Sequence, residues 1–247
     1  MGDGRVAVVT GGSRGMGREI CRDLAARGFR VAVASRKAPA CEELAKELTA
    51  EFGVEALGIG CHVGHWADCD ALMDRVLETW GRIDVLVNNA GMSPLYPSLG
   101  EVGEELFDKV IGVNLKGPFR LAVRAGEAMA AGEGGQIVNV SSVAAVAPAP
   151  SELPYATAKA GLNAMTLGLA RAFGPTVRVN GVMPGMFGTD ISKAWGPEMF
   201  ERAAATPAGR VGEAAEIVGA VRYLTSPESS YTTGSILKVD GGAVWSP

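Results

Sequence analysis

The sequence predicts an α/β fold, in which one doubly wound parallel sheet of about seven strands carries helices on both faces. Short runs rich in β-branched residues alternate along the 247-residue chain with longer segments whose apolar residues recur at helical spacing. No linker, low-complexity stretch or repeat divides the chain. We therefore expect residues 1–247 to form a single domain.

Each predicted strand is a short apolar run, and the runs lie at residues 5–10, 30–35, 54–61, 83–91, 134–142, 177–185 and 235–242. Helical spacing appears between them, at 17–28, 38–53, 66–81, about 101–131 as a helical pair, 155–173 and 214–225. The remaining segment, 186–210, is rich in Gly and Pro. Because long irregular segments in compact domains often cover binding sites, we expect a substrate-covering loop there.

The composition excludes several classes of protein. With 47% hydrophobic residues the chain can bury a core, and its net charge of −4 provides no basic surface for nucleic acid or an anionic membrane. No apolar run approaches the ~18 residues of a membrane span, and "MGDGRVAVVTGG" lacks the pattern of an export signal. We expect a cytoplasmic protein that binds neither nucleic acid nor membrane.

Two cysteines and both histidines of the chain lie together in "CHVGHWADCD", as Cys61, His62, His65 and Cys69. These side chains are good zinc ligands. Their spacing matches no metal-site pattern, however, and they would have to converge across a strand-to-helix turn. We expect buried or unreactive thiols and no metal.

A glycine-rich turn, "TGGSRGMG", follows the first predicted strand and holds Gly11, Gly15 and Gly17. Its G-x-x-x-G-x-G spacing departs from the G-x-G-x-x-G fingerprint, but glycine can serve the same purposes: a sharp turn, close approach to a pyrophosphate and tight helix packing. The free N–H groups at the helix start favour an anion, which predicts nucleotide binding. The alternative is a turn that uses glycine for geometry alone.

Several motifs occur in order along the chain: "TGGSRGMG", "NNAG" at 88–91, Asn114, Ser142 in "IVNVSS", "YATAK" at 155–159 and "PGMFGT" at 184–189. Together they resemble the short-chain dehydrogenase/reductase family over essentially the whole chain, although a Y-x-x-x-K match alone is weak. The resemblance implies a nicotinamide-dependent oxidoreductase with a Ser-Tyr-Lys centre on a Rossmann-type sheet. It also implies cofactor contacts by Gly11, Ser13, Arg14, Gly15, Met16, Gly17, Asn89, Ala90, Gly91, Tyr155 and Lys159.

The pair Tyr155 and Lys159 fits the chemistry of carbonyl reduction. Hydride addition to a ketone leaves an alkoxide that needs a proton from a nearby acid. A cation at i+4 lies on the same helix face, about 5–6 Å away between Cβ atoms. We therefore expect Lys159 to lower the pKa of Tyr155, and the resemblance implies that Lys159 also holds the nicotinamide ribose. The alternative is a surface tyrosine beside a solvated lysine.

Two further residues complete the predicted catalytic set. Ser142 ends the fifth strand, where its hydroxyl can bond the substrate oxygen; the family's spacing favours it over Ser141. Pro118 has no N–H for the carbonyl of Asn114, so a helix here would leave that carbonyl free to hold a proton-relaying water, as the family does. Alternatively, Pro118 begins a new helix, where the missing donor costs nothing.

The second strand ends in Ser35 and Arg36 rather than in a carboxylate that would bond a ribose 2′-hydroxyl. A guanidinium there can pair with a 2′-phosphate, with Arg14 as a second cation, so we expect NADP(H) rather than NAD(H). His62 and Val63 stand where the family has Asp-Val, and the usual bond to the adenine amino group is therefore in question. Pro184, Gly185 and Thr189 resemble the segment that meets the nicotinamide carboxamide; its alternative is a strand-ending turn.

The substrate-covering loop carries Phe187, Trp195, Met199 and Phe200, which we expect to form one apolar wall, with "APAPSELP" as the other. Such a pocket suits a small-molecule ketone or secondary alcohol. One alternative is a reductase of 3-oxoacyl thioesters on an acyl carrier, which would need a basic patch to which Arg120, Arg124 and Lys193 could contribute. Another is a catalytically idle NADP-binding sensor.

A stripe of small residues runs along the Tyr155 helix, at Ala156, Ala160, Ala164 and Gly168. It would allow a second helix to approach closely, and the resemblance implies a homotetramer or homodimer. The stripe could equally lie on the chain's own sheet.

Overall fold

The computed structural model describes residues 4–189, 192 and 196–244. Seven strands form one parallel sheet in the order β3-β2-β1-β4-β5-β6-β9. The strands are β1 Val6–Thr10, β2 Arg30–Ser35, β3 Ala56–Gly60, β4 Val85–Asn88, β5 Gly135–Val140, β6 Val177–Pro184 and β9 Ile236–Val239. Two short segments, β7 Phe187–Gly188 and β8 Gly212–Glu213, pair separately in parallel. The predicted doubly wound sheet is confirmed.

The helices alternate with the strands: α1 Gly15–Ala26, α2 Ala38–Phe52, α3 Trp66–Trp80, α4 Glu104–Ile111, α5 Gly117–Ala131, α6 Leu153–Phe173, α7 Pro197–Ala204 and α8 Val218–Leu224. Left-handed Gly53 and Gly81 end α2 and α3, as glycine commonly does. A π-helical turn, Gly112–Lys116, joins α4 to α5. The predicted helical pair over 101–131 is therefore one nearly continuous helical segment. Among the described residues, no helix is long and apolar enough to cross a membrane.

The core lies in two layers, one on each face of the sheet. Val6 and Val8 of β1 face α3, α5 and α6, whereas Ala7 and Val9 face α1, α2 and α8. This alternation follows from the two-residue period of a strand, and it requires both faces to be apolar. The sheet is thus buried on both sides, and polar side chains at the strand ends can form a site.

The chain reverses its direction of winding between β1 and β4, which are neighbours in the sheet. In open α/β sheets the crevice outside the carboxyl ends of the strands at such a reversal is the usual ligand site. The glycine-rich turn follows β1 and "NNAG" follows β4, so both motifs lie at this point.

Candidate active site

Tyr155 and Lys159 lie in the first turns of α6, which begins after the N-cap residue Glu152 and carries Pro154 in its first turn. Proline suits this position because the first N–H groups of a helix have no intrahelical partner. The Lys159 Nζ lies 5.7 Å from the centroid of the Tyr155 ring. The two side chains therefore share one helix face, as their spacing predicts.

The ammonium of Lys159 is buried, with 3% of the residue exposed, and donates a 2.6 Å hydrogen bond to the carbonyl of Val140 in β5. Burial lowers the pKa of Lys159 to about 7, because desolvation disfavours the charged form. An ammonium that exchanges its proton near neutrality can take part in proton transfer, whereas a solvated lysine cannot.

The pKa of Tyr155 differs from the expectation that Lys159 lowers it. Burial of the hydroxyl raises that pKa to about 12; a hydrogen bond with the Ser142 side chain lowers it, and the charge of Glu152 raises it. The sequence argument counted the attraction between a tyrosinate and an ammonium but not the desolvation of both groups. With a pKa of about 12, Tyr155 is a hydrogen-bond donor at neutral pH.

The two serines after β5 have different surroundings. Ser142 is half-buried, accepts a 3.2 Å hydrogen bond from the N–H of Ala144 and interacts with the Tyr155 hydroxyl. Ser141 is buried, and its hydroxyl has no hydrogen-bond partner among the described residues. Of the two serines, Ser142 is the one that reaches the Tyr155 hydroxyl.

Asn114 lies fully buried in the π-helical turn. Its Nδ2 donates to the carbonyls of Met92 at 2.8 Å and Val110 at 2.9 Å, and its Oδ1 accepts from the N–H of Met92 at 3.2 Å. A Cβ on Gly91 would lie 3.0 Å from Asn114 Oδ1 and 3.7 Å from Lys159 Nζ. The side chain therefore fixes the segment after β4 beside Lys159.

The start of α5 also approaches the segment after β3. A Cβ on Gly117 would lie 1.9 Å from the carbonyl oxygen of Val63. Pro118 stands in the first turn of α5, but the residues before it are already helical through the π turn. Pro118 therefore lies in the first turn of α5, which continues from α4 without a break.

The glycine turn and "NNAG" are bonded to each other. Asn89 Nδ2 donates to the carbonyls of Thr10 at 2.9 Å and Gly11 at 3.1 Å. The Thr10 hydroxyl accepts from the N–H groups of Asn89 and Ala90, each at 3.1 Å. Sequence reasoning missed Thr10; its position at the last residue of β1, directly before the glycines, was the available signal.

The glycines of the turn have the conformations that the motif requires. Gly11 and Gly15 have φ of +63° and +53°, and a Cβ on Gly17 would lie 2.2 Å from the carbonyl oxygen of Gly11. No side chain caps the start of α1, where Arg14 is the N-cap, and its first turn holds no acidic residue. The N–H groups and the dipole of this helix start can therefore receive a pyrophosphate, and the residues fit a dinucleotide.

The segment after β6 reaches the same turn. A Cβ on Gly15 would lie 3.5 Å from Cγ2 of Thr189. Pro184 is buried at the end of β6, and the N–H of Gly185 donates to the carbonyl of Val239 at 3.0 Å. The strand-ending turn and the predicted cofactor segment are thus the same structure, and it places Thr189 beside the glycine turn.

At the end of β2, the hydroxyls of Ser13 and Ser35 lie 3.0 Å apart, and Cys41 Sγ lies 2.9 Å from Ser35 Oγ. Arg36 and Arg14 are both exposed at this edge. Two guanidinium-bearing residues therefore flank the turn, with no carboxylate at the last residue of β2.

His62 follows β3 and stacks on His65, with ring centroids 4.2 Å apart. Its Nδ1 accepts a 3.2 Å hydrogen bond from the N–H of Gly64, so the neutral ring carries its proton on Nε2. His62 thus offers a donor where the family's aspartate offers an acceptor. Val63 is buried beneath it.

The four cysteines are buried and free, and among the described residues no group of His, Cys, Asp or Glu could hold a metal ion. Burial raises the pKa of Cys21, as is usual for an unreactive buried thiol.

The expected apolar wall differs in part from the structure. Phe187 is packed in the core against the α1 side of the sheet, because β7 pairs with β8. Phe200 is half exposed on α7, a helix that the prediction of a loop over 186–210 did not include, and Met199 is partly buried. Trp195 and Lys193 lie outside the described residues.

The opposite wall, 147–154, carries a charge that sequence reasoning overlooked. Glu152 lines a shallow crevice together with Tyr155. The signal was present in "SELPY", where an acidic residue stands three positions before the tyrosine and therefore on nearly the same face.

Comparison with known proteins gives a consistent result. A family model described as Enoyl-(Acyl carrier protein) reductase matches residues 11–244. Dehydrogenase/reductase SDR family member 4 of Bos taurus is 38% identical over 246 residues, covering 98% of this chain and 88% of that protein. The 3-oxoacyl-(acyl-carrier-protein) reductase FabG of Escherichia coli (strain K12) is 35% identical over 244 residues, or 97% of each chain.

Solved structures agree. A blue fluorescent protein from a metagenomic library, in complex with NADPH, superposes with a TM-score of 0.92 at 36% identity over 98% of both chains. The NADPH-dependent 3-quinuclidinone reductase from Rhodotorula rubra gives a TM-score of 0.93 at 29% identity, covering 98% of this chain and 92% of that one. The chain therefore belongs to the short-chain dehydrogenase/reductase family and is an NAD(P)(H)-dependent oxidoreductase that acts on the CH–OH/C=O pair.

Proposed function

We propose that the protein transfers a hydride between NADP(H) and a ketone or secondary alcohol, with Tyr155 as the general acid and base. One observation carries this proposal: the Tyr155 hydroxyl interacts with Ser142 while the Lys159 Nζ lies buried 5.7 Å from the Tyr155 ring. An idle NADP-binding sensor would not need these three groups assembled at one strand end.

The roles follow from the surroundings of each group. The nicotinamide supplies or accepts the hydride at the carbonyl carbon. The Ser142 hydroxyl bonds the carbonyl oxygen and stabilises the negative charge that develops there. Tyr155, protonated in this structure, donates its proton to that oxygen in the reductive direction and takes it back in the oxidative one.

Lys159 replenishes the proton of Tyr155. Its pKa of about 7 allows exchange at neutral pH, and its bond to the Val140 carbonyl fixes the ammonium beside the tyrosine. In this proposal, a water on the backbone carbonyl of Asn114 connects Lys159 to solvent. The support is the neighbourhood of Asn114, Gly91 and Lys159 at the π turn.

The cofactor preference follows from the edge beside β2. Arg36 and Arg14 can clamp a 2′-phosphate, and no carboxylate follows β2 to bond a 2′-hydroxyl. Two structures similar to this one are named for NADPH. The remaining predicted contacts, from Gly11 to Thr189, line the crevice at the carboxyl ends of β1, β4 and β6 and would hold the dinucleotide.

A second candidate is reduction of a 3-oxoacyl thioester, the reaction for which the Escherichia coli relative is named. It would need a basic surface for an acidic carrier. Arg120 and Arg124, however, are ion-paired with Asp70 and Asp74, so their charge is largely neutralised. This pairing favours a free small-molecule ketone.

The proposed assembly is a homotetramer or homodimer. Ala160, Ala164 and Gly168 are exposed on α6, and only Ala156 of the small-residue stripe is buried. The stripe therefore lies on the outer face rather than on the chain's own sheet, where a flat surface supports close approach of a second copy. Light scattering of wild type against Ala164→Arg tests it: a lower mass for the variant is expected, and an unchanged mass would refute this interface.

The reaction is tested by following NADPH consumption with diketones, keto-sugars, steroids and 3-oxoacyl thioesters. Turnover of at least one ketone is expected, with a loss of about 100- to 10,000-fold in Tyr155→Phe. NADPH binding, measured by its fluorescence, should persist in that variant because only a hydroxyl is removed. Full turnover by Tyr155→Phe would refute the assigned role.

A further inference from the structure

Glu152 lies one helical turn before Tyr155 and lines the same crevice. The other side chains around this crevice are mostly apolar: Pro94, Tyr96, Leu106, Val110 and Pro154. The hydroxyl of Tyr96 is already bonded, since it donates to the carbonyl of Pro150 at 2.6 Å and accepts from the N–H of Leu153 at 2.8 Å. Apart from Tyr155, Glu152 is therefore the lining residue whose side chain keeps unused acceptor capacity.

The carboxylate is not used to stabilise the helix start. Glu152 is the N-cap residue of α6, yet its side chain accepts no capping hydrogen bond from the first turn. A carboxylate with a capping role would accept a hydrogen bond from an N–H of the first turn, as capping side chains do at many helix starts.

Nor does another side chain neutralise it. Within the described part of the chain, no side chain contacts the Glu152 carboxylate as a hydrogen-bond or ion-pair partner; Arg202 of α7 attracts it from a distance, and the N–H of Ala149 satisfies part of one oxygen. Burial nevertheless raises the pKa of Glu152, so desolvation outweighs both. A half-buried carboxylate with about four acceptor sites costs free energy until a donor reaches it.

We propose that Glu152 is a substrate-recognition residue, which selects ketones that carry a hydrogen-bond donor, a hydroxyl or an ammonium, on the carbon next to the carbonyl. This inference rests on the proposed function, because it assumes that the carbonyl oxygen binds Tyr155 and Ser142. Glu152 and Tyr155 line the same crevice, so the Glu152 side chain lies next to a ketone whose oxygen meets Tyr155.

Two isosteric pairs of ketones test the proposal. Hydroxyacetone is compared with butanone, and protonated dimethylaminoacetone with methyl isobutyl ketone. The members of each pair have the same shape; the first pair differs by a hydroxyl and the second by a charged N–H donor. A hydrogen bond to a charged group changes an equilibrium or rate constant by about ten- to a hundredfold. We therefore expect the wild-type kcat/KM of the donor-bearing ketone to exceed that of its partner by this factor. The hydroxyl pair and the ammonium pair show which donor the site prefers.

The variants are Glu152→Leu, Glu152→Gln and the exposed control Glu105→Gln on α4. In Glu152→Leu, the kcat/KM of the donor-bearing ketone should lie within about twofold of that of its donor-free partner in both pairs. Glu152→Gln keeps an acceptor and the shape of the side chain, so it should retain part of the hydroxyl preference and lose the ammonium preference. Glu105→Gln should match wild type, and NADPH affinity should be the same in all four proteins.

Ketone binding to the complex with NADP⁺ is measured in parallel by saturation-transfer NMR, because binding does not depend on turnover. Equal binding and turnover within both pairs by wild type would overturn the inference, as would ratios unchanged in Glu152→Leu. Donor-selective binding without turnover of any ketone would contradict the proposed reaction and leave the recognition role of Glu152 supported. The two failures are thus distinguishable.

Discussion

The ammonium of Lys159 donates a hydrogen bond of 2.6 Å to the backbone carbonyl of Val140. This bond joins α6 to β5, two residues before Ser142. The sheet therefore sets the position of the lysine, and burial there lowers its pKa to about 7.

The first prediction concerns stability without cofactor. In the unfolded chain Lys159 keeps a pKa near 10.5, so between about pH 7 and 10.5 the unfolded state binds more protons than the folded state. Stability of the wild type should therefore rise with pH across this window through Lys159. Lys159→Met should be the more stable protein, with a melting-temperature advantage that is largest below pH 7 and shrinks towards pH 10.

The matched control is Lys46→Met, at an exposed position on α2, which should show no such pH-dependent difference. Differential scanning calorimetry in buffers across the range provides the measurement. A constant difference between Lys159→Met and wild type at every pH would contradict the lowered pKa.

The second prediction tests the cofactor edge. Arg36→Asp removes a cation that can pair with the 2′-phosphate and places a carboxylate there, which repels it. The dissociation constant of NADPH should rise at least about tenfold, while that of NADH changes by less than about threefold. Fluorescence titration gives both dissociation constants. Arg75→Asp, at an exposed position on α3, serves as the control. Equal weakening of NADPH and NADH binding in Arg36→Asp would refute the NADP(H) assignment.

The third prediction concerns Asn114. Alanine there removes the bonds to Met92 and Val110 that hold the π turn against the segment after β4. We expect kcat to fall by about tenfold or more while NADPH affinity stays nearly unchanged, because the loss affects proton transfer. Wild-type turnover in Asn114→Ala would contradict the proposed proton relay through Asn114.

The fourth prediction concerns a buried link between the sheet and α6. The Thr166 hydroxyl accepts from Asn139 Nδ2 at 2.9 Å and donates to the carbonyl of Leu162 at 2.8 Å. Thr166→Val keeps the shape but leaves the Asn139 donor unsatisfied, which should lower the free energy of unfolding by about 1–3 kcal/mol. Thr166→Ser should recover most of that loss in urea unfolding with an unchanged m-value, and equal stability of Thr166→Val and wild type would count against the link.

Most of the fold was predictable because its strands and long helices have strong periodicities. The seven main strands all lie within the predicted runs. The π turn Gly112–Lys116 was not predictable, since its extra residue depends on how α4 and α5 pack rather than on local sequence. The sequence does not predict the short helix α7, because its eight residues lie in a segment rich in Gly and Pro.

The candidate site, like the fold, was predictable only in part. Motif order and spacing predicted that Tyr155, Lys159 and Ser142 would meet, because residues at strand ends and on one helix face converge in this fold. The direction of the Tyr155 pKa was not predictable, since spacing gives the separation of two groups but not the water that each loses. Phe187 was misplaced for a related reason: the pairing of β7 with β8, which buries it, is a tertiary contact.

The close approach of Gly117 to Val63 places the end of the π turn directly against the segment after β3. The loop after β3, with His62, presses on the start of α5, three residues beyond Asn114. A side chain at position 117 would therefore force this segment and the start of α5 apart.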